Sequence, residues 1–381
     1  MIEGLKEEIR KYLLDNKWKR YTDSEKEIFY KKRHPLEIHQ FDFLKYSKRN
    51  VPHTTIEVAD RLKDFLLANG FNILKVDNIF GKYSDDPLFL TSGVQNFAGW
   101  FHGGVKPNKD RLYIEQPVIR TNLRKSVGEG KISSFVNLST LKSSTNNFEH
   151  VEFIDLWMQN LSKLGLYVSD FNLELRVKNL KSEECEWDKS QGLHLKFKYG
   201  GMEIGSAGAI YLPINSIDGP ISDIGFGLER VVWAINKTDN FSDLLGPKPL
   251  SFSNDYIFID SLRSLTLLGM SGLLREDKDR FRQFRIYLQN IEKSPLDMAV
   301  IHHYYSFWSR FLSQKRDREE TTSFIFVELN RLRNQKLLEK LGFEKITKEA
   351  NKYITKDTDS FINYLVENHG IKLERVKELS K

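Results

Sequence analysis

Strict alternation of apolar and polar residues marks segments in the middle of the chain as β-strands. Residues 171–177 read Phe-Asn-Leu-Glu-Leu-Arg-Val and residues 193–199 read Leu-His-Leu-Lys-Phe-Lys-Tyr, so apolar side chains share one face. Gly200 and Gly201 then predict a hairpin turn into a further strand at 202–204. Because strands joined by tight turns pair antiparallel, the pattern predicts an antiparallel sheet.

Helical spacing appears on both sides of this region. Residues 58–67 and 148–164 predict helices that stop near glycines, and residues 1–80 as a whole predict helices broken by basic loops. From residue 260 onward the chain is again helical in pattern and rich in Arg and Lys. The sequence thus predicts an α+β fold with an N-terminal helical segment at 1–70, a sheet domain at 71–250 and a helical C-terminal domain at 251–381.

Composition narrows the function classes. The 58 Lys and Arg residues exceed the 52 Asp and Glu residues, giving a net charge of +6. This excess favours an anionic partner such as a nucleotide or nucleic acid, although an ordinary solubility charge explains it equally well. The single cysteine, Cys185, excludes an intrachain disulfide and a Cys-rich zinc site. No apolar run is long enough for a membrane helix, so we expect a cytoplasmic protein without a membrane partner.

Two segments carry isolated candidate groups. Arg120 ends a predicted strand and offers a planar fork of donors for a phosphate or carboxylate, with a surface salt bridge as the alternative. Glu203 is followed by the small residues of 205–209, which allow a ligand or another backbone to come close. Its carboxylate suits Mg²⁺, and a tightly packed strand crossing is the alternative.

A third segment is more specific. Residues 222–230 read Ser-Asp-Ile-Gly-Phe-Gly-Leu-Glu-Arg and lead into an apolar helix. Gly225 and Gly227 allow the backbone to approach a flat ligand, and Arg230 projects from the helix start. Since the chain has no Gly-rich phosphate loop of a familiar kind, an ATP site would have to consist of side chains on a sheet.

The last segment is similar to the third signature motif of class II aminoacyl-tRNA synthetases. Five segments together resemble, in order and spacing, the catalytic core of alanyl-tRNA synthetase, especially of the archaeal type. These segments are 85–93, 114–120, 202–204, 223–230 and 259–265. The resemblance implies a class II synthetase-like antiparallel sheet flanked by helices at 71–250, followed by a helical domain.

The same resemblance implies an AMP-forming ligase that activates an amino acid as an aminoacyl-adenylate and transfers it to tRNA, with ATP and Mg²⁺ as cofactors. Arg120 would bind the α-phosphate and the substrate carboxylate, Arg230 the far end of the triphosphate, and Asp223 the substrate ammonium. The implied site residues are, for catalysis, Arg120 and Arg230; for ATP, also Phe135, Glu203, Gly225 and Gly227; for the amino acid, Asp223, Trp187, Ser206 and Gly208; and for Mg²⁺, Glu203.

Departures from the family pattern leave alternatives open. Lys196 stands where the family has a carboxylate, and residues 275–280 replace the segment that carries its base-reading asparagine. The adjacent His302 and His303 lack metal-ligand spacing and are interpreted as structural. The Arg-rich helices could contact tRNA, through residues such as Arg263, Arg275, Arg280, Arg282 and Arg285. The alternatives are adenylation with transfer to an amine, peptide or carrier protein, and a non-catalytic tRNA-binding paralogue; a homodimer also stays open.

Overall fold

The computed structural model describes two compact units, Met1–Gly246 and Pro247–Lys381. The described residues are 2–23, 26–48, 51–81, 88–97, 111–178, 191–211, 220–246, 255–342 and 350–380. Cys185, Trp187 and the start of the predicted motif at 85–93 lie outside them.

A nine-stranded sheet organises the described part of the first unit. The strands in chain order are β1 (Lys19–Asp23), β2 (Lys26–Tyr30), β3 (Asn72–Leu74), β4 (Arg111–Ile119), β5 (Ser134–Ser143), β6 (Phe171–Lys178), β7 (Gln191–Tyr199), β8 (Met202–Tyr211) and β9 (Ile221–Gly227). Their spatial order is β1-β2-β6-β7-β8-β9-β5-β4-β3. Only β3 and β4 pair parallel; the other neighbouring pairs are antiparallel. The predicted α+β fold with a largely antiparallel sheet is confirmed.

The strands β6, β7 and β8 form the meander that the alternation predicted. Gly200 and Gly201 turn the chain between β7 and β8 with φ angles of +47° and +83°, a region in which a side chain is strained. A Cβ atom on Gly201 would also collide with the carbonyl oxygen of His39. Glycine is therefore required at this turn both for its backbone angles and for the close approach of the neighbouring chain.

Four α-helices accompany the described part of this sheet: α1 (Ile2–Asp15), α2 (Thr55–Ala68), α3 (Asn147–Lys163) and α4 (Leu228–Asn236). Helix α3 supports the middle of the sheet through Trp157, whose ring stacks on Phe226 of β9 with centroids 4.5 Å apart. The indole Nε1 of Trp157 also donates to the Oγ1 of Thr140 on β5, at 2.7 Å. Trp157 thus contacts both β5 and β9 on the face of the sheet that α3 covers. The opposite face of these strands is left for other groups.

The N-terminal region differs from the expectation that residues 1–80 are helices and loops. Residues 19–30 form the hairpin of β1 and β2, and β2 joins the sheet beside β6, with Ile28 opposite Glu174. Each strand has only five residues, and the hairpin joins the sheet through β2 and β6, which are distant in sequence. Local periodicity cannot reveal such a strand, because the sheet that stabilises it forms much later in the chain.

The second unit is helical among its described residues. Its helices are α5 (Tyr256–Met270), α6 (Lys278–Ile291), α7 (Met298–Trp308), α8 (Arg318–Lys340), α9 (Ala350–Tyr353), α10 (Thr358–His369) and α11 (Leu373–Ser380). Arg263 of α5 is buried, with its guanidinium carbon 4.8 Å from the ring centroid of Phe307 and 4.9 Å from that of Trp308. The expectation that Arg263 contacts tRNA is therefore wrong. Across the described parts of both units, no helix combines the length and apolar composition needed to span a membrane.

The close packing at Gly205, where β8 pairs with β9, predicts one stability effect. A Cβ atom on Gly205 would collide with the ring of Phe226 and lie 2.6 Å from the carbonyl oxygen of Gly225. We expect Gly205→Ala to lower the free energy of unfolding by about 2 kcal/mol, the range typical of overpacking. Urea denaturation measures this. Gly128→Ala is the control, since its Cβ atom would meet nothing within 4 Å, and equal effects of the two substitutions would contradict the prediction.

Candidate active site

A cavity of about 140 Å³ opens on the face of the sheet opposite α3. Most of the predicted site residues line it, namely Arg120, Phe135, Glu203, Ser206, Asp223, Gly225, Gly227 and Arg230. Gly208 is not among the lining residues, and Trp187 lies outside the described residues. The structure therefore brings together side chains from β5, β8, β9, the end of β4 and the start of α4.

Strand register explains this convergence. Residues directly opposite one another in an antiparallel pair point to the same face of the sheet. Gly225 of β9 lies opposite Ser139 of β5 on one side and opposite Ser206 of β8 on the other. Asp223 and Gly227 share this face because they are two residues away along β9. One cross-strand row and its neighbours thus form the floor of the cavity.

Arg120 is held in place at the end of β4. Its Nε and Nη2 atoms donate to the carbonyl oxygen of Thr91 at 3.0 and 2.9 Å. Its guanidinium carbon also lies 4.9 Å from the ring centroid of Phe135, a cation–π distance. These contacts fix a positive charge at the cavity wall, where a phosphate or carboxylate can approach it.

Arg230 projects into the cavity from the first turn of α4. Its Nε donates to the carbonyl oxygen of Gly130 at 2.6 Å, and its Nη1 donates to the carbonyl oxygen of Glu203 at 2.9 Å. Burial lowers the pKa of the guanidinium, and the negative charge of Glu203 opposes that shift. Arginine stays protonated under such shifts, so the cavity has a second fixed cation, anchored to two backbone segments.

Asp223 is the acidic group on the cavity floor. Burial raises the pKa of its carboxyl from 3.8 to about 6, and the hydrogen bond that the Oγ of Ser139 donates, at 3.0 Å, opposes this shift. An enclosed carboxylate that lacks a cationic partner is unstable in its ionised form. The same carboxylate is therefore well suited to a ligand that brings a positive charge.

Glu203 contributes a second carboxylate at the rim. Its Oε2 accepts a hydrogen bond from the Nζ of Lys196, on the adjacent strand β7, at 2.8 Å. Lys196 is the residue that stands where the family pattern has a carboxylate. Lys196, which departs from that pattern, thus forms an ion pair beside the cavity with Glu203, which matches it.

The glycines of β9 leave the cavity floor flat. A Cβ atom on Gly225 would lie 3.3 Å from the Nδ2 of Asn137, and one on Gly227 would lie 3.9 Å from the ring of Phe135. Side chains at these positions would occupy the space between the strand and the opposite wall. Glycine at both positions therefore keeps this space free of side-chain atoms.

Sequence reasoning missed several lining residues. Asn137 and Ser139 face the cavity, and the Oδ1 of Asn137 accepts a hydrogen bond from the backbone N–H of Gly93 at 2.8 Å. Glu229 is buried and accepts one from the backbone N–H of Val136 at 3.1 Å, which links α4 to β5. The available signal was the period of two along β5, because polar residues at 137 and 139 follow Phe135 on one face.

Gly208, one of the small residues expected to let a ligand or another backbone come close, has neighbours on both adjacent strands. Gly208 lies opposite Asp223 on β9 and opposite His194 on β7. A Cβ atom on Gly208 would lie 3.5 Å from the Cε1 of His194, an ordinary contact distance. The imidazole therefore takes up part of the space that the absent side chain leaves.

Comparison with known proteins agrees with the motifs. The chain is 22% identical over 207 residues to the alanine–tRNA ligase of Metallosphaera sedula, which covers 51% of this chain and 22% of that protein. It is 25% identical over 251 residues to that of Methanoregula boonei, which covers 60% of this chain and 25% of that protein. It is 24% identical over 226 residues to that of Methanobrevibacter smithii, and the match covers 54% of this chain and 23% of that protein.

These similarities confirm the resemblance to archaeal alanyl-tRNA synthetases and support a relationship to aminoacyl-tRNA synthetases. The matched region spans about a quarter of the length of these curated relatives. No family model matches the chain.

The raised pKa of Asp223 predicts a pH-dependent stability difference. A carboxyl whose pKa is higher in the folded than in the unfolded state contributes stability that is present below its unfolded pKa and is lost as the pH rises through the folded pKa of about 6. Asp223→Asn removes the titrating carboxyl and so avoids this loss. We therefore compare the free energies of unfolding of the ligand-free variant and the native protein. The variant's value minus the native value should be about 1–2 kcal/mol larger at pH 8 than at pH 4. Urea denaturation at both pH values measures this, and a difference that does not change with pH would contradict it.

Proposed function

We propose that the cavity binds ATP and an amino acid, and that the amino acid is activated there as an aminoacyl-adenylate before transfer to tRNA. The observation that carries this proposal is the convergence of Arg120, Arg230 and Asp223 on one cavity beside the flat glycine floor. Two fixed cations suit phosphates, and one enclosed carboxylate suits an ammonium group. The similarity to alanine–tRNA ligases supports the same reaction class.

The nucleotide would lie over the face that the paired strands β5 and β9 turn to the cavity. The floor at Gly225 and Gly227 has room for a planar ring, and the aromatic face of Phe135 borders it. We propose that adenine stacks here and that the phosphates reach the guanidinium groups. A base–aromatic contact of this kind contributes about 1–3 kcal/mol.

The reaction would need charge stabilisation more than proton transfer. The substrate carboxylate is already ionised at neutral pH, so no side chain has to act as its base. A carboxylate oxygen attacks the α-phosphorus, and the bond from that phosphorus to the pyrophosphate oxygen breaks. Arg120 would bind the substrate carboxylate and the α-phosphate, and Arg230 would bind the leaving end of the triphosphate.

The amino acid would be oriented by its ammonium group. Asp223 and Ser139 lie together on the floor, with the Oγ of Ser139 hydrogen bonded to the carboxylate at 3.0 Å. Among the described residues no cation pairs with Asp223, so an ammonium group placed against it would supply that partner and favour the ionised carboxylate. Ser206 would border the substrate side chain, and Trp187 stays a prediction outside the described residues.

Mg²⁺, when bound, offsets charge on the triphosphate. Glu203 is the candidate protein ligand, but its Oε2 is engaged by Lys196 at 2.8 Å. Among the described residues, no group of three or more His, Cys, Asp or Glu side chains is arranged to hold a metal ion. Because the ammonium of Lys196 already engages the carboxylate of Glu203, that residue does not fit a magnesium ligand, and we assign Mg²⁺ to the phosphates of ATP alone.

Transfer to tRNA is supported by a basic groove in the second unit. The groove has a volume of about 360 Å³ and is lined by Arg275, Lys278, Phe281, Arg282, Arg285, Ile286 and Gln289. Arg275 also pairs with Glu328 at 3.2 Å, so part of this charge is compensated within the unit. Cationic side chains around an aromatic ring are suited to a phosphate backbone.

ATP–pyrophosphate exchange screened over all amino acids tests the proposal. Exchange with one amino acid, followed by acylation of total tRNA with that amino acid, is the expected result. Exchange without tRNA acylation would indicate that the acyl group is transferred to another acceptor, such as an amine, a peptide or a carrier protein. Absence of exchange with every amino acid would contradict an activating enzyme and favour a non-catalytic paralogue.

Loss of Arg230 should slow the first step. We expect Arg230→Ala to lower exchange by about 10²-fold or more, because one preorganised cation on a phosphate contributes about 3 kcal/mol in rate. Arg111→Ala is the control: this arginine opens β4 outside the cavity lining and donates to the carbonyl oxygen of Asn69 at 3.1 Å. An Arg230→Ala variant that keeps exchange within about threefold would remove Arg230 from the mechanism.

Loss of the Asp223 charge should act on the amino acid instead. We expect Asp223→Asn to raise the KM for the amino acid by about tenfold or more, since the ammonium loses its ionic partner, while the KM for ATP stays within about twofold. Pyrophosphate exchange with each substrate varied in turn separates the two constants. A change confined to the KM for ATP would show that Asp223 does not bind the ammonium.

A further inference from the structure

The ion pair between Lys196 and Glu203 lies at the rim of the cavity and has no place in the mechanism above. Lys196 is on β7, directly opposite Ser206 of β8, so its backbone belongs to the same cross-strand row as the cavity floor. Its Nζ lies 2.8 Å from the Oε2 of Glu203. The exposed fractions of the two side chains are 26% and 37%, so the pair is partly shielded from water.

Charge around the cavity shows why this pair matters. The lining contains two cationic residues, Arg120 and Arg230, and three acidic ones, Glu203, Asp223 and Glu229. A triphosphate that enters such a lining meets more negative than positive charge unless a cation compensates it. Lys196 supplies one positive charge directly on Glu203, which makes the local balance neutral.

Glu203 is also connected to the proposed phosphate-binding arginine. Its backbone carbonyl accepts the hydrogen bond from the Nη1 of Arg230 at 2.9 Å, while its side chain accepts the one from Lys196. The residue is thus fixed at both its backbone and its carboxylate. A change in the charge on Glu203 would therefore affect Arg230, because the negative charge of Glu203 opposes the lowering of the Arg230 pKa by burial.

We propose that Lys196 is a positioning residue that takes the place of a protein-held magnesium ion at Glu203, so that the cavity binds ATP without a divalent cation on this carboxylate. The inference rests on the proposed function only in taking ATP as the ligand. The ammonium neutralises Glu203 and holds the carboxylate away from the phosphates. A magnesium ion between a carboxylate and phosphate oxygens would serve the same electrostatic purpose.

The test compares ATP affinity with and without Mg²⁺, in the absence of any amino acid. In isothermal titration calorimetry we expect the native protein to bind ATP in EDTA within about threefold of its affinity in Mg²⁺. Lys196→Met should lose about tenfold or more in EDTA, because Glu203 then repels the phosphates. Added Mg²⁺ should restore most of that loss, since the exposed carboxylate becomes able to bind the ion.

Three further variants separate charge from structure. Lys196→Arg keeps the cation and should behave like the native protein. Lys196→Met combined with Glu203→Gln removes both charges and should abolish the acquired dependence on Mg²⁺. Lys142→Met is the matched control, because Lys142 of β5 is also part of a partly buried pair, with Glu149 at 3.0 Å, outside the cavity lining.

Each outcome decides the inference. A native protein whose ATP affinity falls about tenfold or more in EDTA would overturn it, and so would a Lys196→Met variant that loses the same affinity with and without Mg²⁺. ATP binding with the expected pattern but no pyrophosphate exchange with any amino acid would overturn amino-acid activation and leave the role of Lys196 supported. No ATP binding under any condition would overturn both.

Discussion

The register between β5, β9 and β8 is the constraint on which the rest of the site depends. Ser139, Gly225 and Ser206 lie opposite one another across three strands, and this single alignment determines which side chains face the cavity. A shift of one residue in any of these strands would turn its polar residues toward α3 and its apolar residues toward the cavity. Trp157 opposes such a shift from behind, since it contacts Phe226 of β9 and Thr140 of β5.

The cavity contains groups that are unfavourable for the stability of the ligand-free fold. Burial raises the pKa of Asp223 and lowers that of Arg230, so each is less stable in its charged form than it would be in water. Hydrogen bonds from neighbouring groups offset part of this cost of burying charge. Backbone carbonyls at Thr91, Gly130 and Glu203 accept from the two arginines. Such preorganised charge is typical of sites that bind charged ligands.

Residues that match the alanine–tRNA ligase motifs and a residue that departs from them occupy different positions around the cavity. The two arginines and the aspartate that match the family motifs lie together in the cavity, whereas Lys196 changes the charge at its rim. Similarity over about a quarter of the relatives' length supports a shared core. Lys196 thereby adds a positive charge beside Glu203, a residue that matches the family motif.

The sequence by itself determined the elements whose signals are local. The meander of β6, β7 and β8 followed from alternation and a Gly-Gly turn, and the strand-to-helix step at Gly227 followed from its glycines and the apolar helix after them. The motifs also identified Arg120, Asp223 and Arg230. In contrast, the strands β1 and β2 have no such signal, because they are short and their hairpin joins the sheet only where β2 pairs with β6.

Tertiary structure alone decided which groups meet. That Asn137 and Ser139 face the cavity, that His194 fills space beside Gly208, and that Arg263 is buried all depend on packing between distant segments. Lys196 and Glu203 are only seven positions apart across a hairpin turn, and their pairing likewise depends on the register of β7 and β8. Composition and spacing specify which charges are present, but only the register of paired strands brings opposite charges within hydrogen-bond distance.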